Sequence, residues 1–105
     1  MVAMLGVSTD DLGTRYGLEF FDGVDNLDAY TAAVIRLGSG RRVGLLRHSG
    51  NPVAGTELHV DSEDDYLGAI REFLDAFELT TDALTWVRDE VPIDHLRLAE
   101  DAANA

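Results

Sequence analysis

A chain of 105 residues with 46% hydrophobic content has room for one modest core, and it holds no cysteine, which excludes disulfides, thiolate metal sites and cysteine nucleophiles. A formal net charge of −12 disfavours nucleic acid and anionic membrane as partners, because phosphate binding requires clustered positive charge. The charge is uneven: residues 1–52 carry six acids against five arginines, and residues 53–105 fourteen acids against three.

Residues 1–14 show no sustained period and contain Gly6 and Gly13, so they are expected to form an irregular arm ahead of a single α+β domain over residues 15–91. The apolar stretch Met1 to Val7 has neither the basic flank nor the length of a secretory signal, and no apolar run is long enough to span a bilayer. A cytoplasmic protein is the expectation. Arg15 to Phe21 reads as a short strand with Tyr16, Leu18 and Phe20 on one face, ended by Asp22-Gly23.

The next segment has two readings, and the fold depends on which holds. As a helix, Asn26 to Leu37 has Asp25 as N-cap, a stripe of Leu27, Tyr30, Val34 and Leu37, and Gly38 where a left-handed residue is wanted. As a strand, Thr31 to Leu37 pairs with Arg42 to His48 across Gly38-Ser39-Gly40. Caps at both ends favour the helix.

Arg42 to His48 reads as a strand, Ser49 to Gly55 as turn chemistry, and Thr56 to Asp61 as a strictly alternating strand. Ser62 is the expected cap of a helix through Glu78, with Asp65 at its third position and a stripe of Tyr66, Ile70, Phe73 and Phe77. Ala83 to Arg88 is a strand candidate with Trp86 in the core. Pro92 breaks the chain, leaving residues 92–105 as a tail or short helix. The order β-α-β-β-α-β is the ferredoxin-like split βαβ: two helices on one face of a four-stranded antiparallel sheet. If Asn26 to Leu37 is a strand, the answer becomes an antiparallel meander with one main covering helix.

Residues able to carry chemistry are few. Glu57, His59 and Asp61 share one strand face, a ligand set suited to zinc or iron, but one strand gives one direction of approach. A hairpin symmetric about its loop sets Arg47 opposite Glu57 as an ion pair and places His48 on the other face from His59. Gly38-Ser39-Gly40-Arg41-Arg42 offers backbone amides and two guanidiniums to an anion. Paired carboxylates such as Asp10-Asp11, Asp64-Asp65 and Asp89-Glu90 lie in polar runs, without the apolar setting that tunes a catalytic acid. No nucleophile, base and orienter can be nominated, and no metal or cofactor is expected.

Binding remains. The expected function is a non-catalytic acidic module that docks a basic protein, in the manner of an inhibitor, antitoxin or immunity-type protein. Its contact residues are expected on the outer face of the second helix: Asp64, Glu72, Asp75 and Glu78. Two alternatives stand beside it. One is a small-ligand-binding regulatory domain, dimeric through a sheet face or edge. The other is a cofactor-free enzyme of ferredoxin-like fold, with His48, His59 and Trp86 as its first suspects.

Overall fold

A computed structural model of the chain describes residues 1–25, 28–52, 54–61, 65–90 and Ile93. The described residues form β1 (Ala3–Leu5), α1 (Thr9–Tyr16), β2 (Phe21–Asp25), β3 (Asp28–Arg36), β4 (Arg42–His48), β5 (Thr56–Val60), α2 (Tyr66–Ala76) and β6 (Leu84–Val87). The strands make one six-stranded sheet in the order β2-β3-β4-β5-β1-β6, and every neighbouring pair is antiparallel. The class is therefore α+β, as expected, with two helices of which only α2 stands where a helix was expected. The four-stranded ferredoxin-like order is not what forms: a β2-β3-β4-β5 meander is extended by β1 and β6.

Three segments depart from expectation for identifiable reasons. The irregular arm over residues 1–14 holds β1 and most of α1. Val2, Ala3, Met4 and Leu5 are all buried, because β1 lies inside the sheet between β5 and β6. A strand buried on both faces reads as a continuous apolar run without alternation, and this one is only three residues long. Behind it, the Ser8 side chain accepts the Asp11 N–H at 3.1 Å, Asp10 and Asp11 favour the positive end of the dipole, and Gly17 closes α1 with φ 67°. Arg15 and Tyr16, expected in a strand, are thus the last turn of that helix.

The second departure is Asn26 to Leu37. Asn26 and Leu27 lie outside the described residues, and the remainder is strand rather than helix. Arg36 pairs with Arg42, Ile35 with Val43 and Ala33 with Leu45, across the turn the strand reading required. Tyr30, Thr31, Val34 and Ile35 are strand formers, and sheet pairing on both sides outweighs the cap signals.

The third is the start and end of α2. Ser62, the expected cap, lies outside the described residues; Asp65 caps the helix instead, its carboxylate accepting the Gly68 N–H at 3.2 Å. The helix stops at Ala76, short of Glu78, which takes a left-handed conformation at φ 53°.

Both helices cover one face of the sheet. Leu12 from α1 and Ile70, Phe73 and Leu74 from α2 pack into one cluster with Leu5, Val43, Leu45, Leu58, Leu84 and Val87. The expected stripe of α2 holds: Ile70 and Phe73 are fully buried, Phe77 is 8% exposed, and Tyr66 packs partly against the cluster. Phe73 and Phe77 stack at 4.5 Å, and Tyr16 of α1 meets Phe77 at 4.6 Å, tying the two helices together. At the start of β5 the chain passes so close to β1 that a Cβ on Gly55, at φ 117°, would sit 1.9 Å from the Leu5 carbonyl oxygen. Only glycine fits there. Among the described residues, no helix is long and apolar enough to cross a membrane.

Candidate functional site

The face of the sheet opposite the helices is where the chemistry collects. Side chains alternate along a strand, and paired residues on neighbouring strands point the same way. With Leu45, Leu58 and Leu5 turned toward the helices, the register aligns Phe21, Ala32, Leu46, Glu57, Met4 and Trp86 in a single row across all six strands on the open face. Tyr30 and His48 pair on one side of this row, and Val34, Gly44 and His59 on the other. Phe21 is 52% exposed, Val34 62% and Trp86 39%. Trp86, expected in the core, instead stands at the solvent end of this row. A bulge between Met4 and Leu5 in the β1–β6 pairing separates it from the buried Leu84.

Near the middle of the row sits a buried acid. Glu57 is 5% exposed, and both its oxygens are held. One accepts the backbone N–H of His48 at 3.2 Å, the His48 Nδ1 at 2.9 Å and the Asn51 side-chain amide at 3.4 Å; the other meets the His59 Nε2 at 3.1 Å. Burial pushes the carboxyl pKa upward, but the hydrogen bonds from His48, His59 and Asn51 together outweigh it and bring it down to about 2. An ionised carboxylate only accepts, so neutral His48 must donate through Nδ1 and neutral His59 through Nε2. Each ring then presents its second nitrogen as an acceptor. Burial depresses the His59 pKa below its ordinary value, against the opposing pull of Glu57.

This triad was hidden by one residue of register. The symmetric hairpin expected Arg47 opposite Glu57, but the pairing is Leu46 with Glu57 and Gly44 with His59. A one-residue shift moves a strand's side chains to the opposite face, and it brings His48 to the side of His59. Arg47 turns away and donates to the Asn51 carbonyl at 2.9 Å. Asp61, the third member of the expected metal set, is paired with Arg42 at 2.6 Å instead. Among the described residues, no group of three or more His, Asp or Glu converges as a metal ion would require. The His48 and His59 nitrogens that meet Glu57 are already engaged with its carboxylate.

Next to Glu57 the open face dips into a groove of about 410 Å³ lined by Met1, Met4, Asn51, Thr85 and Trp86. Met4 neighbours Glu57 in register, and Asn51 bonds to it, so the groove and the acid share a wall. Tyr30 stands over Gly23 on the far side, its ring 6.4 Å from Phe21 and 5.9 Å from His48.

The docking acids expected on α2 fare differently from one another. Asp64 lies outside the described residues. Glu72 reaches across to the β3–β4 turn, where it accepts the Ser39 N–H at 3.0 Å and the Ser39 hydroxyl at 2.6 Å, with Arg41 at 3.5 Å. The Ser39 hydroxyl, backbone amide and Arg41 hold its pKa below the usual carboxylate value. The anion cradle legible in Gly38 to Arg42 is thus filled by the chain's own carboxylate. Arg41 also pairs with Asp65 at 2.6 Å, beside a cavity of about 320 Å³. Asp75 pairs with Arg71 at 2.9 Å, as its spacing suggested, while its side chain remains 68% exposed. Glu78 is exposed just past the helix end.

No protein-family model matches the chain, and neither a curated protein nor a solved structure is significantly similar to it.

Proposed function

We propose that this protein is a non-catalytic binding module for a basic protein partner, engaged through the C-terminal end of α2. The supporting observation is the charge arrangement there. Cations are favoured at the C-terminal end of a helix, because the last carbonyls carry partial negative charge. α2 has no basic residue in its last turn; Asp75 lies in that turn, and exposed Glu78 follows it. Three charge elements of one sign meet at this end, and a cationic surface would relieve them. The rest of the surface acts in the same direction at longer range. Among the described residues ten acids are exposed but only three arginines, and the exposed Arg42 is already paired with Asp61.

Glu72 is left unchanged in the test, since reversing it would dismantle the Ser39 cradle. The test is affinity purification with the whole chain, followed by rapid-mixing kinetics on the partner recovered. Association should slow as salt rises while dissociation changes less. Asp75→Lys with Glu78→Lys should slow association roughly tenfold with the circular dichroism spectrum unchanged. A partner whose association ignores both salt and the double reversal refutes the reading.

The open-face groove favours a second reading, a small-ligand site. Apolar walls from Met1, Met4 and Trp86 beside an oriented imidazole pair are what such a site requires. Chemical-shift changes confined to Trp86, His48 and His59 on addition of small amphiphiles would favour it over the first.

A further inference from the structure

We propose that the open sheet face is the contact surface of a homodimer, in which two copies stack sheet against sheet about a two-fold axis running along the strands. This surface is separate from the α2 end, and the inference does not depend on the function proposed above.

The choice of a second copy as occupant rests first on charge. On a chain of net charge −12, the open face carries little of the excess. By register its acids are Asp25, Asp28, Glu57 and Asp61, four against the two arginines Arg36 and Arg42 in the same alternation. Three of these acids are satisfied within the chain: Asp28 by the Gly50 N–H at 3.1 Å, Asp61 by Arg42 at 2.6 Å, and Glu57 by its two histidines. A basic partner finds nothing here to prefer over the acidic surface elsewhere. For another copy of the same acidic chain, this is where contact meets the least repulsion.

Shape points the same way. An axis along the strands lays β2 of one copy over β6 of the other. The raised ring pair Phe21 and Tyr30 then lies over the partner's groove between Met4 and Trp86, and the two-fold repeats the contact at the other end. The small residues Ala32 and Gly44 fall between, where two sheets about 10 Å apart leave least room. Six strands about 4.8 Å apart and about 17 Å long give a projected footprint on the order of 450 Å². Side-chain relief brings this toward the roughly 800 Å² per partner of a standard interface.

Salt separates this contact from the first. Two copies of equal charge repel at long range, so screening should strengthen the dimer, whereas it weakens docking of a basic partner. Sedimentation velocity of the full chain, from about 1 μM to about 1 mM in low and high salt, is the measurement. The expected result is a monomer–dimer equilibrium that tightens several-fold with salt. Phe21→Asp and Trp86→Arg should each reduce the population to monomer without changing the far-ultraviolet spectrum, or the melting temperature at dilutions where the wild type is itself monomeric, since both side chains are substantially exposed. An equimolar mixture of the two variants should recover a dimer, because the axis sets the new Asp against the new Arg at one end and leaves Phe21 over Trp86 at the other. A monomer at every concentration and salt overturns the proposal and gives the face a different occupant. A dimer indifferent to both substitutions, or a mixture that stays monomeric, overturns it as well.

Discussion

Replacing Glu57 with Gln preserves the shape of the open face but changes its chemistry. The wild-type carboxylate takes four hydrogen bonds, from the His48 N–H, the His48 and His59 rings and Asn51. An amide offers one accepting oxygen, and its NH₂ must face a donor unless a ring changes tautomer. Bonds to a charged acceptor contribute about 1.5–3 kcal/mol and neutral ones about 0.5–1.5 kcal/mol. The imidazoles border solvent, and water can replace part of what is lost. A loss of about 1–3 kcal/mol at neutral pH is expected, against about 0.5 kcal/mol or less for an ordinary surface glutamate. The pH dependence is more diagnostic. A carboxyl held at about 2 against an ordinary 4.5 contributes stability that is present above pH 4.5 and lost as pH falls through about 2. His59, depressed from 6.5, costs stability as pH falls below that value, and Glu57 limits the cost by stabilising the imidazolium. Removing Glu57 should therefore widen the gap between variant and wild type as pH drops from neutral toward 4.5, and the gap should close in strong acid. Urea unfolding across that range measures it. Equal midpoints for the two proteins, or a gap independent of pH, would refute the account of the triad.

Two packing predictions follow. Phe73→Ala removes a fully buried ring stacked on Phe77 and should cost about 3–5 kcal/mol in urea unfolding; an unchanged midpoint would place Phe73 outside the core. Gly55→Ala forces a Cβ against the Leu5 carbonyl at a positive φ and should cost about 2–5 kcal/mol, read as loss of amide protection in β1 and β5; tolerance would mean the two strands are free to separate.

The parts of this fold legible in the sequence are those where one face is wet. The stripe of α2 follows directly from burial on a single side, and the alternation of Thr56 to Val60 from apolar residues on the helical face and polar ones on the other. β1 carries no such signature, being apolar and buried throughout. β3 carried two signatures at once: Ala29, Ala32 and Ala33 suit either period, and Gly38 serves a hairpin turn as well as a helix end. The binding acids were nominated from helix spacing alone, which cannot see that Ser39 and Arg41, far away in sequence, claim Glu72. The His48–Glu57–His59 triad was within reach, since all three residues lie on adjacent strands. What concealed it was the loop over residues 49–55, whose length does not dictate which strand residue faces which.

α2 also indicates why the two proposed contacts should coexist. Its C-terminal end contains two choices that oppose folding. Asp75 stands at the negative pole of the dipole, offset by a pair with Arg71 of the kind that contributes only about 0.2–0.5 kcal/mol. Glu78 takes a left-handed backbone where glycine is usual, at a cost of roughly 1–2 kcal/mol. In a small domain such concessions are a sizeable share of total stability. The N-terminal end of the same helix is better secured, with Asp65 capping it and pairing with Arg41 at 2.6 Å. Unfavourable local choices at the C-terminal end of the helix fit an end that is stabilised when something binds. That end lies on the helical side of the sheet, and the apolar row lies on the other. A back-to-back dimer would therefore leave both acidic ends accessible, and would raise the avidity for a basic target able to meet two of them at once.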